Sequence, residues 1–486
     1  MFEVSDAFKD LMKSNVRPKC EPTITVKDAF GSGKDLVWYA KDISNMTYKR
    51  GIDPIGRNLP FMELRWTEVY QGKLNSNAYP QIYENVAAFL PVELKFDQSL
   101  GFFNTWKILF ESGKSWKDIF DAKKTWRQIK NDVSKETITF PILFLSGKPT
   151  VKNNVVEWVA YDLMHYLDIY QSLIFKENAN TWKIPSVVLK NCCSSHLYHK
   201  KIIECIEKTI ENQNLESTEE LGSKCILDGN SNSILKDFFS VRNKYLDFSE
   251  DFIVDKNVFS DFSDTEFEFP VYLQYNYPKI TKNPNISSYQ FKKFYIQENA
   301  EKKYEKSWNN YKAYLGDVFS NQDFYVFEYI FDGYGRGYSD SISDLESELK
   351  KAFVFKTLET GTIPTKDEYK ISVNPIERNS IDIVVPNYVD GESFSEQNNL
   401  CIYGQDEKYP TERKEILTKY FNNKCDSIEM SCAPNISLET GDLIRVETDL
   451  YDSFGERIWK EAVIVEFELE YSGYLKQKIK SHEVKN

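Results

Sequence analysis

Several features are scarce in this 486-residue sequence, and each scarcity excludes a class of protein. No window of about 18 consecutive apolar residues occurs, so we expect no membrane-spanning helix. The first residues, MFEVSDAFKD, carry charge where a secretory signal would be apolar, so we expect no signal peptide. The eight cysteines are scattered without a framework of short spacings, which favours reduced thiols and synthesis in the cytoplasm.

Basic residues are also outnumbered. Lys and Arg total 61 against 74 Asp and Glu, which gives a formal net charge of -13. A general nucleic-acid-binding surface needs clustered Lys and Arg to contact phosphates, so this balance argues against one. Aromatic residues, at 15%, and apolar residues, at 41%, are plentiful enough to exclude a wholly disordered chain. The length predicts roughly three domains.

The clearest structural signal lies near the C-terminus. Apolar and charged residues alternate there, which predicts three antiparallel strands, at 442–448, 458–470 and from about 474 to 481. One face of the second strand is apolar and the other is acidic, while the third strand has an apolar and a basic face. The apolar positions of the second strand are Val463, Val465, Phe467 and Leu469, and the acidic positions are Glu466, Glu468 and Glu470.

The loop between the second and third strands sets their register. A two-residue loop would place Leu469 opposite Lys476, an apolar side chain against a charged one. A three-residue loop, 471–473, pairs Leu469 with Leu475 and Glu468 with Lys476. Only the three-residue loop brings like faces together, so we predict this register.

Two segments resemble a known family. The run LETGDLIRVET, a turn and KEAVIVEFELEYSGYLKQKIKSHE resemble the C-terminal end of tail proteins from long-tailed bacteriophages. The resemblance is to the baseplate-hub and tail-tip group, which extends to phage-tail-like bacteriocins. In that group an acidic-Gly-Asp turn opens a strand and an E-x-x-Y-x-G-x-L-K-x-K-x-K hairpin closes the domain. The N-terminal VSDAFKDLMKSNVRPKCEPTITV is similar to the opening of such proteins, a short helix followed by the first barrel strand.

The resemblance implies a fold built from β-barrel domains at both ends of the chain. Between them, helical and strand patterns are mixed and depart from the family's pattern. We therefore predict an α+β fold with three domains: 1–175, an N-terminal β-barrel-like hub domain with helices; 176–370, a mixed α+β insertion domain; and 371–486, a C-terminal β-rich domain with one helix and the closing meander.

Periodicity places further elements along the chain. Helices are predicted at 6–13 with Ser5 as the N-cap, twice within 101–133, and at 200–211, 233–247, 297–315, 340–355 and 411–422. Strands are predicted at 23–27, 36–41, 62–70, 138–145, 267–277 and 381–385, and a strand running into a helix at 155–175.

One cluster has the residue types of a metal site: Cys192, Cys193, His196, His199 and Cys205. Zinc sites prefer spaced cysteine pairs, whereas adjacent cysteines cannot easily both bind one ion. Ordinary core and surface roles are therefore favoured here, and a metal site at these residues is left open.

Other chemical motifs are weaker still. The glycines of 333–337 follow an aromatic strand without a dinucleotide-binding unit, so a flexible loop is expected there. The run Gly31-Ser32-Gly33-Lys34 lacks the first glycine of a phosphate-binding loop, so a hairpin turn is expected. Histidine occurs four times, and neither His165 nor His482 has an obvious catalytic partner. We predict no catalytic, cofactor-binding or metal-binding residue and no cofactor.

The resemblance implies a non-enzymatic structural subunit of a phage tail or phage-tail-like particle, at the baseplate hub or tail tip. Its expected partners are copies of itself in a ring, with a trimer favoured, and the tail tube and other baseplate proteins. DNA would only pass through the lumen. The expected location is the virion tail, after synthesis in the host cytoplasm. A tail-associated protein that binds or degrades cell-wall glycans is the alternative, and a non-phage cytosolic scaffold is a third interpretation.

Overall fold

The computed structural model describes the following residues: 2–14, 19–29, 33–68, 86–100, 135–152, 155–175, 184–193, 200–212, 225–241, 243–249, 252–257, 267–282, 286–298, 304–307, 326–331, 335–339, 370–386, 392–403 and 426–484. Within these ranges the chain is mostly β-structure with few helices. The mixture of both element types agrees with the predicted class, with β-structure more dominant than expected.

The strands run in chain order as β1 (Cys20–Val26), β2 (Leu36–Tyr39), β3 (Ile43–Gly51), β4 (Phe61–Glu68), β5 (Pro91–Ser99), β6 (Lys135–Thr139), β7 (Leu143–Leu145), β8 (Thr150–Lys152), β9 (Val155–Tyr161), β10 (Tyr170–Phe175), β11 (Cys225–Asn230), β12 (Lys244–Ser249), β13 (Phe252–Asn257), β14 (Phe267–Phe269), β15 (Lys279–Thr281), β16 (Ile286–Glu298), β17 (Tyr304–Ser307), β18 (Val326–Phe331), β19 (Gly335–Ser339), β20 (Lys370–Pro386), β21 (Glu392–Tyr403), β22 (Ser427–Cys432), β23 (Leu443–Tyr451), β24 (Arg457–Tyr471) and β25 (Leu475–Glu483).

The described helices are α1 (Asp6–Met12), α2 (Leu163–Tyr166), α3 (Ile184–Cys193), α4 (Lys200–Asn212) and α5 (Ser231–Val241), with short 3-10 helices at Ala40–Asp42 and Val271–Leu273. The predicted start of α1 is confirmed. The backbone N–H of Phe8 donates to the Ser5 hydroxyl at 3.3 Å, which satisfies a free donor of the first turn. Phe8 and Met12 are buried on the inner face of this helix.

The larger sheet contains 15 strands and is almost entirely antiparallel. Its hydrogen-bonded path runs β15-β22-β25-β24-β3-β4-β9-β7-β5-β1-β2, with β6, β8, β14 and β23 attached at its sides. The path does not close on itself among the described strands, so closure into barrels stays a prediction. The division of the chain into three domains also stays a prediction.

Strand β24 connects the two ends of the chain. The first part of one edge pairs with β23, and the second part of the same edge pairs with β3, where Phe467 lies opposite Arg50 and Leu469 opposite Tyr48. The other edge pairs with β25 along most of its length. A bulge near Val465 separates the two halves. The closing meander and the N-terminal strands therefore belong to one continuous sheet.

The predicted meander is confirmed in its strands and faces, but its register is wrong by two residues. Tyr471 pairs with Leu475, and Glu468 lies opposite Lys478 instead of Lys476. The loop consists of residues 472–474, so it still has three residues and keeps the same side chains on each face. The reason is Tyr471, which is only 3% exposed and extends the buried face by one more pair. Alternation alone cannot distinguish two registers that differ by two residues.

The core of the larger sheet is strongly aromatic. Trp66 and Trp158 stack with ring centroids 5.9 Å apart, and Trp38 meets them edge-on at 5.5 Å and 5.1 Å. These three side chains come from β2, β4 and β9, which the chain separates widely. Offset and edge-to-face arrangements of this kind add about 0.5–1.5 kcal/mol per pair beyond the burial of area.

A second sheet of eight strands follows the backbone path β10-β11-β21-β16-β20-β18-β19, with β17 beside β20. Strands β12 and β13 form a separate hairpin. The helix predicted at 297–315 is wrong where the chain is described, because β16 and β17 lie there and both pair with β20. Pairing with a distant strand has overridden the local helical pattern.

Three other predictions are corrected. The helix predicted at 233–247 ends at Val241, and Asn243, with a φ of 56°, turns the chain into β12. The predicted strand-to-helix junction at 155–175 exists as β9 followed by α2, but α2 has only four residues and β10 follows it. The strand predicted at 267–277 is limited to β14, because Pro270 precedes a 3-10 turn.

The helices predicted at 101–133, 340–355 and 411–422 lie outside the described residues. Helix α4 confirms the prediction at 200–211, and β1, β2, β4, β6, β7 and β20 coincide with or overlap predicted strands. None of the described helices has the length and apolar character that a membrane crossing requires.

Candidate functional site

Three distant segments meet at a buried arginine beside the β24 bulge. Arg50 lies on β3 and is only 1% exposed. Its guanidinium donates from Nη1 to Glu439 Oε1 at 3.0 Å and from Nη2 to Asp247 Oδ1 at 3.1 Å. Nη2 also donates to the carbonyl of Phe248. These contacts join the N-terminal strands, the β12–β13 hairpin and the C-terminal turn. We call this cluster the Arg50 junction, and it comprises Arg50, Asp247, Lys256, Glu439 and Thr440.

Asp247 is the central acceptor of the junction and is fully buried. Its Oδ2 accepts from Lys256 Nζ at 2.6 Å, and its Oδ1 accepts from the backbone N–H of Phe248 at 2.8 Å. The Thr440 hydroxyl donates to the same Oδ1 at 3.4 Å. A buried carboxylate with this many donors keeps its charge, because hydrogen bonds and cations replace the lost water.

The charges of the junction stabilise each other. Burial by itself would lower the pKa of Arg50, but the carboxylates of Asp247 and Glu439 raise that pKa above its ordinary value. Burial would likewise raise the pKa of Asp247, yet Arg50 and Lys256 hold it below its ordinary value. Both groups are therefore charged near neutral pH, and neither is free to exchange a proton. The arrangement suits a structural connection better than acid–base catalysis.

The acidic-Gly-Asp turn that the sequence highlights supplies one side of this junction. The backbone N–H of Glu439 donates to Asp442 Oδ2 at 2.7 Å, which closes the turn. Gly441 has a φ of +91°, and its N–H donates to the carbonyl of Ile464 at 2.8 Å, beside the bulge. The glycine is required here because residues with a side chain rarely adopt this backbone conformation. The motif therefore positions Glu439 against Arg50.

This turn is evident from the sequence, whereas Arg50 and Asp247 are not predicted from it. A signal for Arg50 exists: Met46, Tyr48 and Arg50 share the buried face of β3, so an arginine occupies an apolar-face position. Strand β3 itself is absent from the predicted strands, so the sequence does not indicate that Arg50 lies on a buried face. Asp247 falls inside a predicted helix, which hides its position on β12.

A second charged arrangement lies on the exposed face of the meander. Lys478 Nζ contacts Glu470 Oε1 at 2.6 Å and Glu468 Oε2 at 3.8 Å, and Lys49 of β3 contacts Glu468 at 3.6 Å. Hydrogen bonding to Lys478 lowers the pKa of Glu470, whereas burial raises that of Glu468. We call this surface the charge ladder, and its members are Lys49, Glu466, Glu468, Glu470, Lys476, Lys478 and Lys480.

A groove of about 430 Å³, open to solvent, adjoins the charge ladder. Its walls combine residues 276–279 with parts of β22, β24 and β25, and its charged lining consists of Lys279, Glu429, Glu466, Glu468, Lys478 and Lys480. Acidic and basic side chains are equal in number in this lining, so the groove has no preference for a ligand of one charge.

The Cys/His cluster lies only partly within the described residues. Cys192 and Cys205 are buried on α3 and α4, and Cys192 Sγ donates to the Ser231 hydroxyl at 3.3 Å. His196 and His199 lie outside the described residues. Across the ranges that the structure describes, no three His, Cys, Asp or Glu side chains are placed to hold one metal ion. The absence of a metal site stays a prediction.

The remaining candidates have local structural explanations. His165 stacks on Tyr161 with ring centroids 4.1 Å apart, and burial lowers the pKa of His482 on β25. Gly335 and Gly337 belong to β19, while residues 332–334 lie outside the described part. Gly33 has a φ of 72° and lies between β1 and β2, which pair as the expected hairpin.

Comparisons with known proteins show likeness in structure. No family model and no curated protein matches the sequence. A tail protein from Neisseria meningitidis MC58 is similar over 96% of this chain and 97% of its own, with a TM-score of 0.45 and 6% identity. The 43 kDa tail protein of prophage MuSo2 from Shewanella oneidensis is similar over 96% and 98%, with a TM-score of 0.43 and 8% identity.

A component of the Escherichia coli type VI secretion system, c3393, is similar over 92% of this chain and 74% of its own, with a TM-score of 0.35 and 7% identity. Tail proteins, the class that the terminal segments resemble in sequence, thus also match this chain in structure over nearly its full length. All three likenesses are distant in sequence.

Proposed function

We propose that this chain is a non-enzymatic structural subunit of a phage tail or phage-tail-like particle, located at the baseplate hub or tail tip. One observation carries the proposal. The two segments whose sequences resemble hub proteins, at the N-terminus and in the closing meander, lie in the same sheet because β24 pairs with β3. Motifs that are more than 400 residues apart in the chain therefore belong to one structural unit.

The Arg50 junction gives this unit a means of transmitting force. A subunit that joins a tube to a baseplate must keep its own segments in register when either partner moves. Arg50 binds Asp247, 197 residues away, and Glu439, 389 residues away, so separation of any one segment breaks at least one ion pair of this buried arginine. The high cost of breaking a buried ion pair disfavours separation of the three segments.

The proposal includes assembly. The path of the larger sheet ends at β2 and β15 among the described strands, and strand edges of this kind accept pairing with another chain or close into barrels. A closed ring of identical copies, with a trimer favoured, would join the tail tube and other baseplate proteins. The net charge of -13 suits a lumen through which DNA passes, since a basic wall would retain phosphates.

The experiment is electron microscopy of the intact particle, with an affinity tag on this chain to mark its position. The expected result is a ring of copies on the tail axis, between the tube and the baseplate, in the virion tail after assembly in the host cytoplasm. A single copy in the particle, or a position far from the axis, would end the hub proposal.

A second assay separates the structural role from the glycan alternative. The purified chain is expected neither to clear cell-wall substrate nor to be retained on peptidoglycan. Clearance by this chain would show an enzyme, and specific retention would show a glycan-binding protein.

A further inference from the structure

The hairpin between β23 and β24 carries an exposed aromatic cluster at its tip. Phe454 is 91% exposed, and Leu450 and Tyr451 are 47% and 59% exposed. Arg457 lies 6.0 Å from the centroid of the Tyr451 ring and 5.8 Å from that of Tyr277, and so connects the tip to the neighbouring segment. We call Tyr277, Leu450, Tyr451, Phe454 and Arg457 the tip patch.

The exposure of Phe454 is imposed by a well-formed turn. Asp452 Oδ1 accepts from the backbone N–H groups of Phe454 at 2.9 Å and Glu456 at 2.8 Å. The backbone N–H of Asp452 donates to the carbonyl of Glu456 at 2.8 Å, and Gly455 adopts a φ of +82°. At the base of the tip, the Thr448 hydroxyl donates to the carbonyl of Ile458 at 2.8 Å. The turn thus holds the phenyl ring away from the sheet.

Such an arrangement has the properties of a binding anchor. Phe, Tyr and Arg are enriched in protein interfaces, and a few such residues supply most of the binding energy. Because the turn already fixes the backbone that carries the phenyl ring, less backbone entropy is lost on binding. Single exposed apolar side chains are common, but contiguous exposed apolar patches mark interaction sites or favour aggregation.

The charge around the tip patch defines the partner. Asp449, Asp452 and Glu456 are exposed around Phe454, and Glu447 contacts Arg457 at 3.6 Å. This acidic rim disfavours nucleic acid and anionic lipid surfaces, which carry the same sign of charge. A glycan would require a concave site, whereas Phe454 projects outward. A protein pocket with an apolar floor and a rim of Lys and Arg is complementary to the tip in both shape and charge.

We propose that the tip patch docks into an apolar, basic-rimmed pocket of a different protein, with Phe454 as the anchor. The proposal goes beyond the structural role above, because it names a contact surface and the chemistry of its partner and holds wherever in a particle the chain lies.

The test begins in the native host, with the full chain and its natural partners. A photo-crosslinking amino acid is placed at position 454 in one variant and at Tyr474 in the control, which is 58% exposed in the hairpin loop between β24 and β25. The expected result is a protein crosslinked from position 454 and not from position 474. A second copy of this chain as the crosslinked species, or no protein specific to position 454, would overturn the proposal.

The protein identified is then purified and its affinity for the full chain is measured. Phe454→Ser should weaken binding by about 30-fold, which is the loss typical of a central anchor. The double charge reversal Asp449→Lys with Glu456→Lys should also weaken binding and reduce its dependence on salt. The matched controls are Tyr474→Ser, at the other hairpin of the meander, and Glu429→Lys, both at exposed positions.

These controls should bind like the wild-type chain. Because Phe454 makes little contact with the rest of the fold, Phe454→Ser should retain the wild-type melting temperature, which separates lost binding from lost folding. Unchanged affinity in both the Phe454 and the charge-reversal variants would refute the docking role of the tip patch.

Discussion

The Arg50 junction and the charge ladder use the same chemistry in different surroundings. Both consist of Lys or Arg side chains placed against Asp and Glu. In the junction, Arg50 and Asp247 are 1% and 0% exposed, whereas in the ladder Lys478 is 49% exposed. Water screens the exposed charges of the ladder, but it cannot reach Arg50 and Asp247 at the centre of the junction. Burial therefore decides how much an ion pair contributes to the stability of the fold.

The two sites also differ in the range of sequence that they connect. The ladder joins neighbouring strands of one meander and adds Lys49 from β3. The junction joins segments from the beginning, the middle and the end of the chain. Loss of a ladder contact therefore disturbs one local surface, while loss of a junction contact disturbs the connection between the segments.

The largest expected effect follows from removing the buried cation. Arg50→Met should lower the free energy of unfolding by about 3–5 kcal/mol, because buried Asp247 would keep only Lys256 as a cationic partner and Glu439 would lose its ion pair with Arg50. Denaturant unfolding of the two proteins measures this difference. The matched control is Arg65→Met on the adjacent strand β4, where Arg65 is 50% exposed and the change should be within about 0.5 kcal/mol.

Removing both central charges sharpens the same comparison. The double variant Arg50→Met with Asp247→Leu should recover part of the lost stability, since neither member of the pair is then left unpaired. If the double variant loses more free energy of unfolding than the two single variants lose when their losses are added, unpaired charge is not the cause of the loss.

A pH dependence should accompany the junction. The folded-state pKa of Asp247 lies below its ordinary value of 3.8, so its contribution to stability is present above pH 3.8 and is lost as the pH falls through the folded-state pKa. Wild-type protein should therefore lose more stability between pH 5 and about pH 3 than the double variant does. Burial raises the pKa of Asp442, whose opposite contribution is common to both proteins. Parallel curves for the two proteins would contradict the expectation.

The turns beside the two sites give a smaller effect. Gly441→Ala should cost about 1–2 kcal/mol of folding stability, because an L-residue is strained at a φ of +91°. Gly473, in the ladder's hairpin, has a φ of +88°, but a β-carbon added there would meet no other atom within 4 Å. Gly473→Ala should cost the same or less, since the exposed loop can relax. Thermal unfolding of both variants tests the order.

The smallest effect concerns the register of the ladder. Glu468→Lys should lower stability by about 0.2–1 kcal/mol, because the new lysine would face Lys49 and Lys478. Adding Lys478→Glu should recover the loss, whereas adding Lys476→Glu should recover less, since Lys476 lies opposite Glu470. If Lys476→Glu restores the stability of the Glu468→Lys variant and Lys478→Glu does not, the register expected from the sequence is favoured.

The ladder could be largely predicted from the sequence, and the junction could not. Alternation along 458–480 predicts the strands, their faces and the sign of charge on each strand, because side chains of a strand alternate with a period of two. It leaves the register open to any shift of two residues. The burial of Tyr471, which pairs with Met46 of β3, settles that register, and this pairing is outside the meander itself.

The middle of the chain shows the same limit more strongly. The amphipathic pattern of α4 was sufficient to predict a helix, and Ser5 was sufficient to predict the start of α1. Strand β17 and the last two residues of β16 lie within the helix predicted at 297–315, but both strands pair with β20, which lies more than 60 residues further along the chain. Their conformation depends on a partner that no local window contains.

The sequence by itself determined the Ser5 cap of α1, the alternating faces of the meander and the Gly441 turn, since each depends on residues within a few positions of one another. Only the tertiary structure decided that β24 pairs with β3, that Arg50 meets Asp247 and Glu439, and that Phe454 projects from the fold. These features require segments separated by tens to hundreds of residues to come together. Their free energy comes from burial and from pairing of charges that exist only once the sheet has formed.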